Sequence, residues 1–426
     1  MALNPDQERA AQEFFQFLFS PAKEFSISGP AGTGKTFLMQ KLLNETLVEF
    51  YNASKLLGSE TRKYEIVLCA TTNKAADVLA QATGRTTATI HSHLNLVVRD
   101  NYKTGVSSVK PTNQWTVHSN QLVFVDEGSM IDKALYDFIC QGFDNTCKIV
   151  YLGDHCQMAP VHEKISPIYT NPSYFVTLSQ PMRNAGQPAL IDLCSQLRAS
   201  VETLRFQPIA EAPGVIDYVD PDAAQAFINA TFAAENPDSR ILCYTNRRVL
   251  DYNQYIRELR GYSDALTEGE RVINNTTIPM GATILRAEEE FEVTRIDPKI
   301  LDVQLPGAVM QINEIELDNG ARSLKVKVPV NGDHFKALMR FYANQKDWGT
   351  YYNLKNGYPD LRPKDAATVY KAQGSTYETV FLDLTNIGSC THNDQLARML
   401  YVGASRATTR LVLFGKLPAR LFQKAA

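Results

Sequence analysis

The residues with the clearest chemical meaning lie near the start of the chain, where positions 29–36 read Gly-Pro-Ala-Gly-Thr-Gly-Lys-Thr. An apolar, β-prone segment precedes this run and a segment with helical periodicity follows it, which is the context that a phosphate-binding loop requires. In such a loop, successive backbone N–H groups and the positive end of the helix dipole bind phosphate oxygens. The sequence therefore predicts a nucleoside triphosphate site formed by Gly29, Pro30, Ala31, Gly32, Thr33, Gly34, Lys35 and Thr36.

Two acidic residues supply the second half of the predicted site. Residues 122–127, Leu-Val-Phe-Val-Asp-Glu, read as a buried parallel strand, and ligands bind at the carboxyl ends of such strands. We expect Lys35 to reach the β- and γ-phosphates and Thr36 to bind Mg²⁺. Asp126 would hold the same Mg²⁺ through water, and Glu127 would orient and deprotonate the attacking water. Acids at a strand end can also be simple helix caps, but the phosphate loop upstream favours the catalytic interpretation.

A third strand is predicted at residues 148–154 and is followed by His155-Cys156-Gln157. Gln157 is an uncharged amide at a strand end, which suits it to sensing a γ-phosphate without adding charge. Asp154 and His155 do not have the spacing of a metal pair, so we predict no metal site there. Together these strands and helices predict a RecA-like α/β domain over residues 1–185.

Length and composition limit the remaining possibilities. A chain of 426 residues is long enough for two to four domains, and 44% apolar with 21% charged residues is ordinary for a globular protein. The net charge of −3 disfavours a static nucleic-acid packager but is compatible with a motor that releases its track. The seven cysteines form no Cys-x-x-Cys pair, so we expect no zinc site or disulfide framework, and a cytoplasmic setting. We also expect no secretory signal and no contact with a membrane.

Five segments, taken in order, resemble the motifs of a known enzyme family. Residues 29–36, 126–130 (Asp-Glu-Gly-Ser-Met) and 153–157 (Gly-Asp-His-Cys-Gln) are similar to motifs I, II and III of superfamily 1 helicases. Residues 369–375 (Val-Tyr-Lys-Ala-Gln-Gly-Ser) and 401–407 (Tyr-Val-Gly-Ala-Ser-Arg-Ala) are similar to motifs V and VI. The order and spacing of the motifs and the short chain resemble the RecD-like branch, superfamily 1B, which includes bacteriophage helicases. The resemblance extends over nearly the whole chain.

The resemblance implies a fold with several parts. It is an α/β fold with two RecA-like P-loop domains, a β-hairpin (pin) insertion in the first domain and an SH3-like β-barrel insertion in the second. The corresponding residues are 1–93 and 118–185 for the first RecA-like domain, 94–117 for the pin, 186–262 and 363–426 for the second RecA-like domain, and 263–362 for the SH3-like insertion with its helical aromatic extension.

The same resemblance adds residues to the nucleotide site. Arg406 in motif VI and Arg183 near residue 185 would stabilise charge on the transferring phosphoryl group, a contribution of about 10³–10⁵ in rate. Gln7 resembles the amide that reads adenine in this family, and Gly374 in motif V would lie against the nucleotide. Each arginine could instead form an ion pair at the surface, and Gln7 could be an exposed glutamine.

Contacts to DNA are implied for loops at the strand ends. Residues 70–75 and 89–93 look like motifs Ia and Ib, whose hydroxyl, amide and lysine groups suit weak and repeated phosphate contacts. Tyr370 stands where relatives usually have histidine, so its role is open, and Asn246 could simply be a helix cap. The predicted DNA-binding residues are Thr71, Thr72, Asn73, Lys74, Thr89, His91, Tyr102, Asn246 and Tyr370.

Three groups of side chains leave alternatives open. His91 or His93 could stack on the strand, or either could be a structural histidine. Tyr102 near the tip of the predicted pin could be the wedge between base pairs or an ordinary exposed tyrosine. The aromatic run Trp348, Tyr351, Tyr352 and Tyr358 could stack on bases or pack internally, and the family would use it to brace the pin.

These observations favour a monomeric, ATP- and Mg²⁺-dependent DNA helicase that moves 5′ to 3′ on single-stranded DNA, with polarity implied by resemblance alone. Its substrates would be single-stranded and forked duplex DNA. A single-strand-binding protein or a replisome component is a candidate partner. The host cytoplasm is the expected location if the chain is phage-encoded. The family implies a role in replication or recombination. The alternative is a translocase that displaces bound proteins and unwinds weakly. A P-loop switch or kinase is disfavoured because it leaves Arg406 unexplained.

Overall fold

The computed structural model describes residues 2–58, 63–160, 163–170, 172–180, 187–263, 265–280 and 283–422. Contacts divide the chain into two compact units. The first unit consists of Met1–Val97, Pro111–Val219 and Val369–Ala426, and the second consists of Val98–Lys110 and Asp220–Thr368. The predicted α/β fold class is confirmed by the parallel sheets described below.

A six-stranded parallel sheet organises the first unit. Its strands are apolar and largely buried, as expected for parallel strands covered by helices on both faces. In spatial order they are Thr87–Thr89, Glu65–Ala70, Gln121–Asp126, Lys148–Gly153, Glu24–Ser28 and Phe175–Thr177. The helices of this part are Pro5–Phe19, Lys35–Lys41, Leu47–Leu56, Asn73–Thr83, Ile90–His93 and Lys133–Gly142, with a π-helical turn at Leu42–Thr46 and 3₁₀ turns at Gly128–Met130 and Pro167–Tyr169.

The first unit also contains a group of parallel strands from later in the chain. They are Tyr377–Asp383, Ala407–Phe414 and Ile216–Val219, with the second pairing to both of the others. The associated helices are Pro188–Thr203, Leu384–Gly388 and Asn393–Ala404, with a 3₁₀ turn at Ala419–Leu421.

An aromatic core fixes the strand that leads into the phosphate loop. Phe25 lies on that strand, and its ring centroid is 6.2 Å from Phe14 and 5.5 Å from Phe17. Phe14 also packs against Phe124 at 6.1 Å, and all four side chains are fully buried. Burying a phenylalanine contributes roughly 1.5–3 kcal/mol, so this cluster strongly favours the register that places the loop at the carboxyl edge of the sheet.

The second unit contains a parallel pair, an antiparallel sheet and helices. The parallel pair is Ser239–Cys243 with Ala366–Thr368. The antiparallel strands are Arg271–Asn274, Glu290–Ile296, Leu301–Leu305, Ala308–Asp318, Ser323–Pro329 and Leu361–Pro363, with a small hairpin at Ile278–Met280 and Thr283–Leu285. The helices are Pro221–Phe232, Asn246–Leu259, Gly332–Asn344 and Trp348–Gly357. The antiparallel strands lie within the predicted SH3-like insertion, residues 263–362, except for Pro363 at the end of the last strand.

The predicted pin is a β-hairpin whose tip packs on an aromatic helix. Its strands are Leu96–Asp100 and Ser107–Pro111. Tyr102 at the tip lies 5.2 Å from Tyr352 between ring centroids, and the Asp100 carboxylate accepts a hydrogen bond from the Asn356 amide at 2.8 Å. These contacts lie within the second unit, and they show that helix Trp348–Gly357 holds the tip of the hairpin.

No helix in the described ranges is both long enough and apolar enough to cross a membrane. All seven cysteines are described, and all are free thiols.

Gly105 tests how tightly the hairpin is held. Its φ of +72° suits glycine, and a Cβ added there would collide with the indole ring of Trp348. We expect Gly105→Ala to loosen the hairpin because both the backbone and the indole must shift, and the measurement is hydrogen exchange of residues 98–110. Gly320→Ala is the matched control, because Gly320 has φ +81° but open space around it. Equal protection of the hairpin in both variants would show that the indole contact contributes nothing.

Candidate nucleotide site

The phosphate loop has a backbone conformation that favours glycine at two positions. Gly32 and Gly34 have φ values of +85° and +76°, in the left-handed region. A Cβ on Gly29 would lie 2.9 Å from both the Cβ and the carbonyl oxygen of Leu178. Gly32 and Gly34 therefore allow the left-handed backbone of the loop, and Gly29 allows close packing against Leu178. These roles are those expected of glycines in a phosphate-binding loop.

Lys35 and the following helix are arranged to receive an anion. The Lys35 ammonium donates to the carbonyl oxygens of Gly29 at 2.7 Å and Pro30 at 3.1 Å, so it lies across its own loop. Helix Lys35–Lys41 begins after Gly34 without a side-chain cap, which leaves its first N–H groups available to a ligand. Thr36 lies in the first turn of this helix and is half-buried. This donor set fits the phosphates of a nucleotide.

The two acids lie together at the end of the neighbouring strand. Asp126 accepts a hydrogen bond from the Glu127 N–H at 2.9 Å, and Glu127 has a left-handed φ of +53°, which is uncommon for a residue with a side chain. Burial and the adjacent Glu127 charge raise the pKa of the Asp126 carboxyl, while Lys35 acts in the opposite direction. A divalent cation would relieve this repulsion, so the carboxylates fit the predicted Mg²⁺ site.

A loop from far along the chain contacts the predicted general base. The Gln373 amide nitrogen lies 3.0 Å from the Ser129 hydroxyl oxygen and 3.4 Å from a Glu127 carboxylate oxygen. Gly374 follows with φ +76°, and a Cβ there would be 3.7 Å from the other Glu127 oxygen. Gln373 was assigned no role from the sequence, because nothing in its spacing indicates a partner at residue 127.

Asp154 is the centre of a buried polar cluster that the sequence did not predict. Its carboxylate forms an ion pair with Arg198 at 2.5 Å and accepts a hydrogen bond from the Tyr401 hydroxyl at 2.6 Å. Burial acts to raise the pKa of Asp154, but Arg198, Lys35 and Tyr401 outweigh it and hold the pKa below its ordinary value. We call Asp154, Arg198 and Tyr401 the Asp154 cluster.

Helix Asn393–Ala404 also holds the loop that carries Gln157. Arg398 on this helix donates to the carbonyl oxygens of His155 and Gln157, both at 2.5 Å. The Gln157 side-chain oxygen is buried and has no hydrogen-bond partner among the described residues. An unpaired buried amide is costly, so this atom is suited to a ligand, as the predicted γ-phosphate sensor requires.

The Asp154 neighbourhood does not fit a metal. Ligand atoms of Asp154, His155 and Cys156 lie within 4.8 Å of one another. The carboxylate, however, is already neutralised by Arg198, and burial raises the pKa of the Cys156 thiol far above its ordinary value. A protonated thiol is a poor metal ligand, and the absence of a metal at these residues stays a prediction.

Two other predicted nucleotide contacts have protein partners, and one cannot be placed. The Arg406 guanidinium is buried and donates to the Val402 and Ser375 carbonyl oxygens, both at 3.1 Å, and to the Ser405 hydroxyl at 2.8 Å. Gln7 is buried rather than exposed, because its amide nitrogen donates to the Thr33 carbonyl oxygen at 2.9 Å and its oxygen accepts the Asn4 N–H at 3.2 Å. Arg183 lies outside the described residues.

Comparison with known proteins agrees with this geometry. A family profile described as an AAA domain matches residues 2–212, and one described as a UvrD-like helicase C-terminal domain matches residues 365–414. The chain is 21% identical to the "ATP-dependent DNA helicase dda" of Enterobacteria phage T4, over 89% of this chain and 92% of that protein. It is 23% identical to the uncharacterized protein R530 of Acanthamoeba polyphaga mimivirus, over 96% and 99% of the two chains.

Solved structures share the fold. A Pif1 helicase studied at forked double-stranded DNA superposes with a TM-score of 0.54 at 14% identity, covering 99% of this chain and 94% of its own. Pif1 from Bacteroides in complex with ADP-AlF3 and single-stranded DNA superposes with a TM-score of 0.52 at 13% identity, covering 100% and 95%. These matches together support a superfamily 1B helicase close to dda. The predicted two RecA-like domains are those of this helicase fold.

Several residues that the sequence assigns to DNA have structural roles in the first unit. The Thr71 hydroxyl donates to the Glu127 carbonyl oxygen at 3.2 Å. Thr72 and Thr89 cap helices Asn73–Thr83 and Ile90–His93. Asn73 and Lys74 occupy the first turn of the former helix. Each of these residues therefore lies at a strand end of the sheet, where motifs Ia and Ib of a superfamily 1B helicase were predicted.

The remaining predicted DNA contacts differ in their surroundings. The Tyr370 hydroxyl is hydrogen-bonded by the Gln395 amide, which ties motif V to helix Asn393–Ala404. Asn246 is the first residue of its helix, and the cap is Thr245 instead. His93 stacks on His118 at 4.4 Å between ring centroids and is hydrogen-bonded to Gln121, which are the contacts expected of a structural histidine.

Replacing Asp154 tests how much the Asp154 cluster contributes to the stability of the fold. Asp154→Asn should destabilise the fold by about 3–5 kcal/mol because it leaves the buried Arg198 charge with only the half-exposed Glu202 carboxylate, 3.7 Å away, as its ion-pair partner. Tyr401→Phe should cost about 1.5–3 kcal/mol, the value of a hydrogen bond to a charged group. The measurement is chemical unfolding at pH 7. Asp137→Asn, which breaks an exposed ion pair with Lys133, is the control and should change stability little.

The effect should also depend on pH. The folded state holds the pKa of Asp154 below its unfolded value, so the ion pair contributes fully above about pH 4 and is lost as the pH falls through the folded pKa. The difference between wild type and Asp154→Asn should therefore shrink on acidification. A difference that stays constant to low pH would mean that the carboxylate charge does not stabilise the cluster.

Proposed function

We propose that this protein is a superfamily 1B helicase that hydrolyses ATP to move 5′ to 3′ along single-stranded DNA and to unwind forked duplexes. The observation that carries the proposal is the contact of Gln373 with Glu127, because it joins the predicted general base to the loop that carries a predicted DNA residue. The proposal that this protein binds a nucleotide and DNA is supported by its similarity to Pif1, solved with ADP-AlF3 and single-stranded DNA, and to the dda helicase, named as ATP-dependent. A phosphate-loop kinase or switch would have no need of this contact.

Hydrolysis would be divided among residues with distinct environments. Lys35 and the free N–H groups of its helix would bind the phosphates, and the unpaired Gln157 amide oxygen would sense the γ-phosphate region. Thr36 and Asp126 would hold Mg²⁺, which neutralises charge on the phosphates. Glu127 would orient the attacking water and take its proton. Arg406 and Arg183 remain proposed contacts to the transferring phosphoryl group.

Coupling to DNA would pass through Glu127. Its backbone carbonyl accepts the Thr71 hydroxyl, and its carboxylate contacts Gln373, which is three residues after Tyr370. Both segments were predicted to touch DNA. A rearrangement of Glu127 when ATP is hydrolysed would therefore change two DNA-facing segments together. This arrangement accounts for movement driven by chemistry within the first unit.

Strand separation would use the hairpin. Opening a base-pair step costs about 1.4 kcal/mol of stacking, and stacking a freed base on an aromatic ring returns about 1–3 kcal/mol. Tyr102 is 52% exposed while its ring is supported by Tyr352. A supported and accessible ring is suited to act as the wedge between base pairs.

We further propose that the protein is a monomer that acts in the host cytoplasm during replication or recombination. A single-strand-binding protein or a replisome component would be its partner.

Glu127→Gln tests the general base. The amide retains the size and hydrogen bonds of the side chain but cannot take a proton, so ATP binding should persist while turnover falls by about 10²–10⁴. Binding is measured with a fluorescent ATP analogue and turnover as phosphate release with single-stranded DNA present. Glu49→Gln, an exposed residue of the same unit, is the control and should behave as wild type. Near-normal turnover in Glu127→Gln would exclude this role.

Polarity is tested with matched duplexes that carry a 5′ or a 3′ single-stranded tail. We expect single-turnover unwinding of the 5′-tailed duplex alone, with ATP and Mg²⁺. Opening only from the 3′ tail would keep the motor and reverse the proposed direction. If neither duplex opened although single-stranded DNA stimulated ATP hydrolysis, the chain would be a translocase that displaces bound proteins.

A further inference from the structure

The second unit contains a cleft that none of the proposed steps uses. It has a volume of about 720 Å³ and lies between helix Asn246–Leu259, the antiparallel strands, and helices Gly332–Asn344 and Trp348–Gly357. Sites for organic ligands typically measure about 300–1,000 Å³. The cleft is therefore large enough to hold one or a few units of a chain-like ligand.

The lining of the cleft combines aromatic rings with cations. Phe335, Tyr351 and Tyr358 line it and are half-buried, so part of each side chain faces the cleft. Lys336 and Arg340 lie along the same lining and are exposed. Flat apolar surfaces interleaved with positive charges are what single-stranded nucleic acid needs, because bases stack on rings while phosphates are neutralised by cations.

Arg340 is the cation with the most freedom to bind a phosphate. It makes no ion pair and no side-chain hydrogen bond with any residue that the structure describes. Two other arginines of the lining are already engaged, since Arg257 pairs with Glu270 at 3.2 Å and Arg362 pairs with Asp360 at 2.7 Å. Arg340 can therefore bind an anion without first breaking an internal ion pair.

The cleft begins beside the hairpin. Helix Trp348–Gly357 supports the hairpin tip through Tyr352, and the preceding residue, Tyr351, lines the cleft. Lys355 also lines the cleft, and its ammonium lies 3.7 Å from the Asp100 carboxylate of the hairpin. A strand that leaves the hairpin would meet these side chains first.

The charge of the adjoining surface limits how far such a strand could extend. A neighbouring depression of about 840 Å³ shares Lys336 with the cleft but is also lined by Asp251, Glu258 and Asp333. Carboxylates repel phosphates, so this part of the groove would not hold nucleic acid. The cationic part alone would bind, which restricts the site to a short segment.

We propose that the cleft binds the strand that the hairpin turns aside during unwinding. The proposal rests on the proposed helicase function and assigns Arg340 to a phosphate of that strand and the aromatic wall to its bases. An acidic peptide of a partner protein would also suit the cations. The position beside the hairpin and the aromatic wall favour the displaced strand.

The test is equilibrium binding of the full chain, without ATP, to a fork with two single-stranded tails and to the same duplex with the 5′ tail alone. Wild type should bind the fork more tightly, and Arg340→Glu should remove most of that difference while leaving the 5′-tailed affinity unchanged. Arg340→Ala should lower the slope of log Kd against log salt for the fork by about 1, the loss of one phosphate contact. Lys299→Glu, an exposed residue outside the cleft, is the control with the same change of charge.

Each outcome decides the proposal. Equal binding of fork and 5′-tailed duplex by wild type, or a fork affinity unaffected by Arg340→Glu, would overturn it and leave an acidic peptide as the candidate ligand. Equal weakening on both DNAs would place the tracking strand in the cleft, which also contradicts the proposal. Because binding is measured without ATP, a wild-type protein that prefers the fork but does not unwind would refute the helicase function and not the cleft.

Discussion

Repulsion among carboxylates at one edge of a parallel sheet is the constraint on which the nucleotide site depends. Asp126 ends one strand and Glu127 follows it, so their negative charges lie together, and Asp154 follows the neighbouring strand at the same edge. The cations that offset them come from different elements, namely Lys35 from the phosphate loop and Arg198 from helix Pro188–Thr203. The charges at this edge are therefore offset by segments that are distant from it in the sequence.

Asp154 and Asp126 have different charge environments. This difference distinguishes an acid with a structural role from an acid that is suited to binding a cation. Asp154 has an arginine and a tyrosine hydroxyl on its two oxygens, so its charge is fully used inside the protein. Asp126 has one oxygen bonded to the adjacent N–H, and burial leaves it short of positive charge. The neutralised Asp154 therefore stabilises the structure. Asp126, which lacks a paired cation among the described residues, favours the binding of a cation that arrives with the nucleotide.

Local patterns predicted the parts of the site that local chemistry defines. The glycines of the phosphate loop and the acids at a strand end were evident because each role depends on residues within one strand, loop or helix. The Asp154 cluster was not evident, since Tyr401 lies 247 positions from Asp154 and no spacing rule joins them. Gln7 shows the same limit. An amide on the first turn of an amphipathic helix looks exposed, and only the tertiary contact with Thr33 shows that it is buried.

The helix that supports the hairpin shows why the aromatic run in the sequence was compatible with two different structural roles. The aromatic run after residue 347 could pack internally or offer a stacking surface, and helical geometry allows both. Consecutive residues on a helix point about 100° apart, so Tyr352 can be buried against the hairpin tip while Tyr351 faces the cleft. Tyr352 is 1% exposed, which leaves it no surface for a base. The face that supports the hairpin and the face that lines the cleft are thus adjacent on one helix. Because the helix is held in place by its contacts with the hairpin, the wall of the cleft keeps its position as well.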